Sequence, residues 1–323
     1  MTELEVRGGM GFAIASSHRS DRARTLASPD VSTCADCQGE LADPEDRRFR
    51  HPFITCTNCG PRFTIITALP YDRAHTTMAG FAMCDACRAE YEDPHDRRFH
   101  AQPIACHDCG PVLEFLWPVA DASVGGLALR QAREALRSGK VVAVKGLGGY
   151  HLACDASREV AVAELRRRKR RGSKPFALMV SDVAVARELV LVNDQEEALL
   201  TGGPGPIVLL ARHPGADGRV AASVAPGNPD LGVMLPHTPL HTLLFGLDGD
   251  DPGPQVLVMT SGNLGGDPIV TDDADALCRL STLADAWLRH DRRIQVPCDD
   301  SVVRVVDGTE MAVRRSRGYA PCR

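Results

Sequence analysis

The sequence predicts an α/β domain with a mixed sheet, preceded by a small tandem zinc-binding module. Three observations predict it. Four Cys-x-x-Cys pairs are confined to residues 34–109 of a 323-residue chain. One segment is nearly repeated at an interval of 50 residues. From about residue 122, short β-branched runs alternate with helix-patterned segments, which is the signature of strands joined through helices. We expect an N-terminal extension over 1–30, the tandem four-cysteine zinc module over 31–113 and the α/β domain over 120–323.

Composition narrows the classes. With 44% hydrophobic and 24% charged residues the chain reads as globular. A net charge of -5 argues against general nucleic-acid binding, so any anion site must be a local patch. No signal-like apolar core opens the chain, and no run approaches the ~18 apolar residues of a membrane span. A cytoplasmic protein is expected, where clustered cysteines mean metal or redox chemistry rather than disulfides.

The doubled segment comes first. CADCQGELADPEDRRFRHPFITCTNCGP (34–61) overlays CDACRAEYEDPHDRRFHAQPIACHDCGP (84–111), with C-x2-C-x18-C-x2-C in both copies. Two residues between cysteines let both thiolates face one ion, and four thiolates satisfy tetrahedral zinc with no open position, so the ions are structural. Two zinc ions are expected, on Cys34, Cys37, Cys56, Cys59 and on Cys84, Cys87, Cys106, Cys109. An interleaved pairing and iron–sulfur ligation remain the alternatives. His51, His75, His95, His100 and His107 are expected at the surface or behind the ligands, because the thiolates already complete each shell. Each copy is too small for its own apolar core, so metal binding supplies much of its folding free energy.

The larger part reads in order. LALRQAREALRSGK (127–140) has helical spacing and a Gly-Lys stop; Val141–Val144 is a buried strand opening into KGLGGYH (145–151). REVAVAELRRRKRRG (158–172) is a helix ending strongly basic, and FALMV (176–180) is a strand before the helix DVAVARELV (182–190). PIVLLAR (206–212), LGVML (231–235) and VLVMT (256–260) are strands. DDADALCRLSTLADAWLRH (272–290) is expected to be one helix, with SVVRVV (301–306) and MAVRRS (311–316) as closing strands.

Chemistry is expected in the loops after strands. KGLGGYH offers glycines for close backbone approach to an anion, but matches neither common nucleotide fingerprint. RRRKRRGSKP (166–175) crowds seven cations into ten residues. Its early arginines are explained equally well by a solvated helix end, whereas Lys169, Arg171 and Lys174 are read as phosphate contacts. Thr260, Ser261 and Asn263 follow an apolar strand and can hydrogen-bond phosphate, ribose or base. Ser301 with Arg314 and Arg315 adds a hydroxyl and cations near the chain end.

These stretches together resemble one family. KGLGGYHLACDA, RKRRGSKPFALMVSD, GVMLPHTPLHTLL, LVMTSGN and RRSRGYAP look like the YrdC-like domain of the hydrogenase-maturation carbamoyltransferases of the HypF family, and the cysteine repeat looks like their paired zinc fingers. The resemblance covers about residues 10–323, beginning with GFAIASS (11–17). It implies ATP with Mg2+, carbamate from carbamoyl phosphate, a carbamoyladenylate product and transfer to a HypE-like acceptor. It implies phosphate-binding roles for Lys169, Arg171, Lys174, Ser301 and one of Arg314 or Arg315, and nucleotide contacts for Thr260, Ser261 and Asn263. Lys145 and Tyr150 are expected to line the small-substrate loop, with His151 where threonine-using relatives have glycine. The family's acylphosphatase-like and C-terminal transferase domains are absent from this sequence, so a trimmed or naturally split member is expected, with separate chains supplying them and no unaided carbamoylation of HypE. Threonylcarbamoyladenylate synthesis for tRNA modification and RNA binding by a zinc protein are the competing readings. The zinc repeat argues against the first, and the lack of stacking aromatics near the patch argues against the second.

Overall fold

The computed structural model describes residues 27–216, 218–251 and 253–321; the 11–17 stretch and Cys322 lie outside them. Among the described residues, eleven strands form one mixed sheet. Its order is β11-β10-β6-β7-β5-β8-β4-β3-β9-β1-β2, with β1 Leu113–Leu116, β2 Ser123–Val124, β3 Val142–Lys145, β4 Tyr150–Asp155, β5 Ala177–Val180 and β6 Ile207–Ala211. The rest are β7 Asp230–Met234, β8 Val256–Ser261, β9 Ala286–His290, β10 Val302–Val306 and β11 Thr309–Arg314. Three pairings are parallel, β10 with β6, β5 with β7 and β3 with β9, and the others are antiparallel. The expected mixed sheet is therefore present. β1 joins it through β9 ahead of the expected start at 120.

The helices are α1 Ala35–Ala42 and α2 Asp85–Glu92 in the fingers, then α3 Gly125–Arg137, α4 Glu159–Lys169, α5 Val183–Leu189, α6 Asp194–Thr201, α7 Pro239–Phe245 and α8 Asp273–Arg279. They cover both sheet faces. One apolar cluster holds Tyr150, Leu152, Leu165, Phe176, Leu178 and Trp287; the other holds Leu136, Val142, Val144, Leu243, Leu257 and Leu288. No helix among the described residues is long and apolar enough to cross a membrane.

The expected helix over 272–290 is corrected. Only Asp273–Arg279 is helical, and Ala286–His290 is β9, paired on both sides by β1 and β3. Trp287 packs on one face of the sheet, Ala286 and Leu288 on the other. A strand buried on both faces is continuously apolar, so its periodicity does not separate it from a buried helix.

Both cysteine sets close as the repeat implied. Cys34, Cys37, Cys56 and Cys59 have sulfurs within 4.8 Å of one another, as have Cys84, Cys87, Cys106 and Cys109. The Sγ···Sγ separations that define them are 3.7–3.8 Å, against roughly 3.75 Å for the edge of a tetrahedron with Zn–S bonds of ~2.3 Å. The donor sets fit zinc, and each belongs to one copy of the repeat rather than interleaving.

The repeated DRRF explains why the copies differ so little. Each finger sends its arginine pair into the other. Arg47 and Arg48 reach Glu90 and the Cys87 sulfur of the second finger. Arg97 and Arg98 reach Glu40, and Arg97 the Cys37 sulfur, of the first. Arg48 Nε donates to Ala105 O at 2.9 Å, and its counterpart Arg98 Nε donates to Thr55 O at 3.1 Å. The fingers thus form an internal pseudo-twofold pair, in which residue i meets j and j meets i. Four thiolates on a dication carry net negative charge, and the partner's guanidinium compensates it. None of the five histidines belongs to either cysteine cluster; His51 lies behind the ligands, 1% exposed, its ring edge-on to His107 at 4.8 Å.

The first finger docks on the large domain. Arg50 pairs Asp250 at 2.6 Å, Gln38 donates to Thr242, and Thr33 N donates to His237 O. Cys37, Leu41, Phe53 and Ile54 join the apolar cluster beneath the sheet.

The crossed arginines generate a prediction. Replacing Arg48 by alanine leaves the Glu90 carboxylate short of its buried partner, costing about 2–4 kcal/mol in denaturant unfolding. It also speeds zinc release from the Cys84 set in the other finger more than from the Cys34 set in its own, measured with a chromogenic chelator on single-finger cysteine variants. Faster loss from the Cys34 set would contradict the crossed assignment.

Candidate functional site

The basic end of α4 turns back over the end of β8. Arg170 caps the helix in the left-handed region at φ 49° and Gly172 follows at φ 58°, so the chain reverses within three residues. The turn buries Lys169, which is 2% exposed. Its ammonium donates to Ser261 O at 2.7 Å, Asn263 O at 2.6 Å and Asn263 Oδ1 at 3.2 Å. Burial, reinforced by Arg171 and Lys174, lowers its pKa to about 7. Among the described residues no carboxylate lies within ion-pair distance of this lysine.

Arg171 lies flat on Phe176 at 4.6 Å and donates to Thr260 Oγ1 at 3.2 Å and to Pro175 O at 2.7 Å. Burial, then Arg166 and Arg314, lowers its pKa to about 10. Arg314, at the end of β11, is therefore near enough to act on the same patch. Lys174 is exposed at the rim. Ser261 Oγ bonds Asn263 Oδ1 at 2.8 Å, and Asn263 Nδ2 donates to Asp267 O at 2.6 Å. Gly262 sits between them against Tyr150, where a Cβ would come within 2.7 Å of the Tyr150 carbonyl oxygen. The structure thus brings Lys169, Arg171, Thr260, Ser261 and Asn263 into one cluster.

Other expected residues are placed differently. Ser301 is fully buried; its hydroxyl donates to Arg317 O and accepts from Ser316 N, which fixes the segment carrying Arg314 and Arg315 rather than facing the cluster. Gly148 and Gly149 of the 145–151 loop admit neighbouring protein at close range. A Cβ at Gly148 would lie 2.2 Å from Cys298 O, and one at Gly149 would meet Ile269. Lys145 is 2% exposed; its ammonium reaches Asp273 Oδ1 at 2.6 Å and His290 O at 2.8 Å. Tyr150 donates its hydroxyl to the same Asp273 oxygen at 2.7 Å. His151 Nε2 lies 2.9 Å from Asp300 Oδ2, and Arg317 Nε donates to Asp300 Oδ1 at 2.9 Å.

Sequence reasoning missed Asp273, Asp300 and Arg317. An acidic residue directly after an apolar turn, as in VTDDAD (270–275), was available as a signal only for helix capping, which Asp272 performs. It also missed a buried histidine group. His237 and His241 meet edge to face at 4.4 Å, and His151 lies 6.4 Å from His241. Both ring nitrogens of His237 and of His241 lack partners.

Burial lowers the pKa of His237 and of His290 well below the usual imidazole value, and that of His241 to about 3. A histidine whose folded pKa is depressed contributes full stability above the unfolded value near 6.5 and loses it as pH falls, because the unfolded chain takes the proton. These three groups together predict a loss of about 4 kcal/mol per pH unit below pH 6.5. Denaturant unfolding between pH 7.5 and 5 measures this, and substituting His241 by leucine removes about a third of their contribution to the slope. A flat profile across that range contradicts it.

Comparisons with known proteins agree with this architecture. Residues 33–66 and 83–116 each match the HypF finger, and residues 134–316 match the Sua5/YciO/YrdC family, described as telomere recombination. The chain is 54% identical to carbamoyltransferase HypF2 of Cupriavidus necator, over 96% of this chain and 40% of that protein. It is 50% identical to carbamoyltransferase HypF of Synechocystis sp., over 99% of this chain and 41% of that one. A crystal structure of full-length HypF in the phosphate- and nucleotide-bound form superposes with a TM-score of 0.87 at 48% identity, covering 93% of this chain and 38% of that one. The chain spans about two fifths of the length of these relatives. Paired HypF fingers ahead of a Sua5/YciO/YrdC domain, in a chain about half identical to HypF proteins along nearly its whole length, make this chain a member of the HypF family.

Proposed function

We propose that this chain is the adenylate-forming core of a carbamoyltransferase for nickel–iron hydrogenase maturation. The observation that carries the reading is a buried ammonium and a stacked guanidinium, Lys169 and Arg171, converging on Thr260, Ser261 and Asn263 with carbonyl and hydroxyl oxygens, not carboxylates, as their partners. Relatives named carbamoyltransferase, one of them solved with phosphate and nucleotide, support it.

In this reading ATP lies with its phosphates on Lys169, Arg171 and the rim cation Lys174, with Arg314 or Arg315 approaching from the chain end. Asn263 and the Ser261 hydroxyl turn from each other toward nucleotide. Mg2+ travels with the triphosphate, which needs few protein ligands of its own. A carboxylate oxygen of carbamate, released from carbamoyl phosphate, attacks the α-phosphorus; the bond to the bridging oxygen breaks and pyrophosphate leaves with the electron pair. Two anions react, so the catalytic requirement is positive charge fixed where charge develops. Carbamate is already ionised, and no general base is required. Lys145 and Tyr150, held by Asp273, line the side where the small acid enters. Transfer of the carbamoyl group to a HypE-like cysteine, preparing the cyanide ligand, falls to the part of the relatives this chain does not span. The domain divisions at 31–113 and 120–323 keep zinc structural and chemistry in the second part.

The test is substrate-dependent ATP–pyrophosphate exchange. Carbamoyl phosphate hydrolysed in place, or ammonium carbamate, is expected to stimulate exchange; stimulation by threonine plus bicarbonate alone would assign the chain to threonylcarbamoyladenylate synthesis instead. Replacing Arg171 by alanine is expected to weaken ATP binding about 10- to 100-fold, the range for a hydrogen bond to a charged group. Because Lys169 titrates at about 7 when unliganded, it is mostly neutral at pH 8, and a bound polyanion recharges it. Calorimetry in buffers of different ionisation enthalpy should show proton uptake at pH 8 that vanishes when Lys169 is methionine. Proton release would refute the assigned role.

A further inference from the structure

We propose that the seam between the first finger and the large domain contains a second anion site, separate from the phosphate cluster, which takes a planar one-carbon acid of the carbamate type. It deepens the reading above and rests on it.

A cavity of about 30 Å3 lies in this seam. One water needs roughly 10–15 Å3, so the space holds about two or three water-sized groups, the scale of a small planar acid rather than of a phosphate ester. Phe53 and Ile54 of the finger wall one side; Lys145, His237, His290 and Arg292 line the other. These four polar side chains are buried, with Lys145, His237 and His290 2% exposed and Arg292 6%. Neither ring nitrogen of His237 nor Nδ1 of His290 has a partner. Among the described residues Arg292 makes no ion pair and no side-chain hydrogen bond; its guanidinium rests over Phe53 at 5.4 Å, and Phe53 meets His290 edge-on at 5.1 Å.

Buried polar groups are rarely left unpaired; Arg292 is offset only by Asp30 and Asp291 from beyond ion-pair distance, whereas Lys145 already pairs Asp273. Here they surround one small space. A guanidinium and an ammonium suit the two oxygens of a carboxylate. Burial keeps both imidazoles neutral, so each presents one acceptor nitrogen, which an N–H of carbamate satisfies and formate cannot. The cavity also communicates with the candidate reaction site through one side chain. Lys145 shares Asp273 with Tyr150, and the Tyr150 carbonyl accepts from Gly262 N, between Ser261 and Asn263. The site is therefore a waiting position for the small acid beside the nucleotide.

The zinc-loaded chain, labelled with 13C at histidine Cε1, is titrated with ammonium carbamate, sodium formate and sodium phosphate while ATP binding is followed separately by calorimetry. Carbamate is expected to shift the His237 and His290 resonances saturably, formate more weakly, and phosphate not at all. Replacing Arg292 by methionine keeps the stem over Phe53 and removes the charge. It should raise half-saturation about tenfold or more and leave the ATP affinity unchanged. Replacing His237 by leucine should reduce the preference for carbamate over formate, and supports the test independently if the first variant does not fold. ATP binding with no histidine response to carbamate overturns this inference alone. A histidine response without ATP binding by the wild type supports the seam site and overturns the nucleotide reading.

Discussion

The structure turns on how buried positive charge is compensated. Lys169, Arg171 and Lys145 are all withdrawn from water, and the partners chosen for the first two are carbonyl and hydroxyl oxygens. Dipoles stabilise a cation enough to fold around it without cancelling its charge. A carboxylate would offset that charge directly. The same chain shows the contrast: Arg48 and Arg98, equally buried, meet Glu90 and Glu40, and those arginines are structural. Carboxylate partners thus distinguish Arg48 and Arg98 from Lys169 and Arg171, while Lys145 pairs Asp273 and also donates to His290 O.

The fingers extend this logic. Their clusters need no substrate position because four thiolates close each shell. What the repeat adds is a reciprocal clamp, in which each copy provides the guanidinium that offsets the other's thiolate charge. The first copy then carries Phe53 and Ile54 to the ends of β3 and β9, against Lys145, His290 and Arg292. A metal-stapled module too small for its own core thereby forms one wall of the larger domain's interior. The second copy stands off, with its own small cluster around Cys87, Ala101, Ile104 and Cys106.

Where reading the chain failed, the failures share a cause. The stretch 284–290 was expected to continue the helix begun at 272, since its three apolar residues 286–288 are too few to set a period; pairing with β1 and β3, more than a hundred residues away in sequence, decides for strand. The glycines after β3 suggested close approach to an anion; Gly148 and Gly149 instead give close approach to Cys298 and Ile269. Ser301 carried the right chemistry for a phosphate contact, but its one O–H goes to the backbone at 317 and it accepts from the backbone N–H at 316. Each depended on a distant partner that no local pattern encodes.

Local chemistry was legible wherever a short segment decides alone. The cysteine spacing, the doubled segment, the helix that runs basic into Gly-Ser-Lys-Pro and the polar turn after β8 need only neighbours in sequence, and from them the mixed α/β class and the zinc ligands could be read. Tertiary structure alone decided that the two arginine pairs cross between fingers and that Lys169 lies under the Asn263 turn. It also set Asp273 between Lys145 and Tyr150, and left Arg292 and His237 facing a small cavity. Those arrangements follow from sheet order and docking, which bring residues 50 to 200 positions apart within hydrogen-bond reach, and a one-dimensional pattern carries no distance between them.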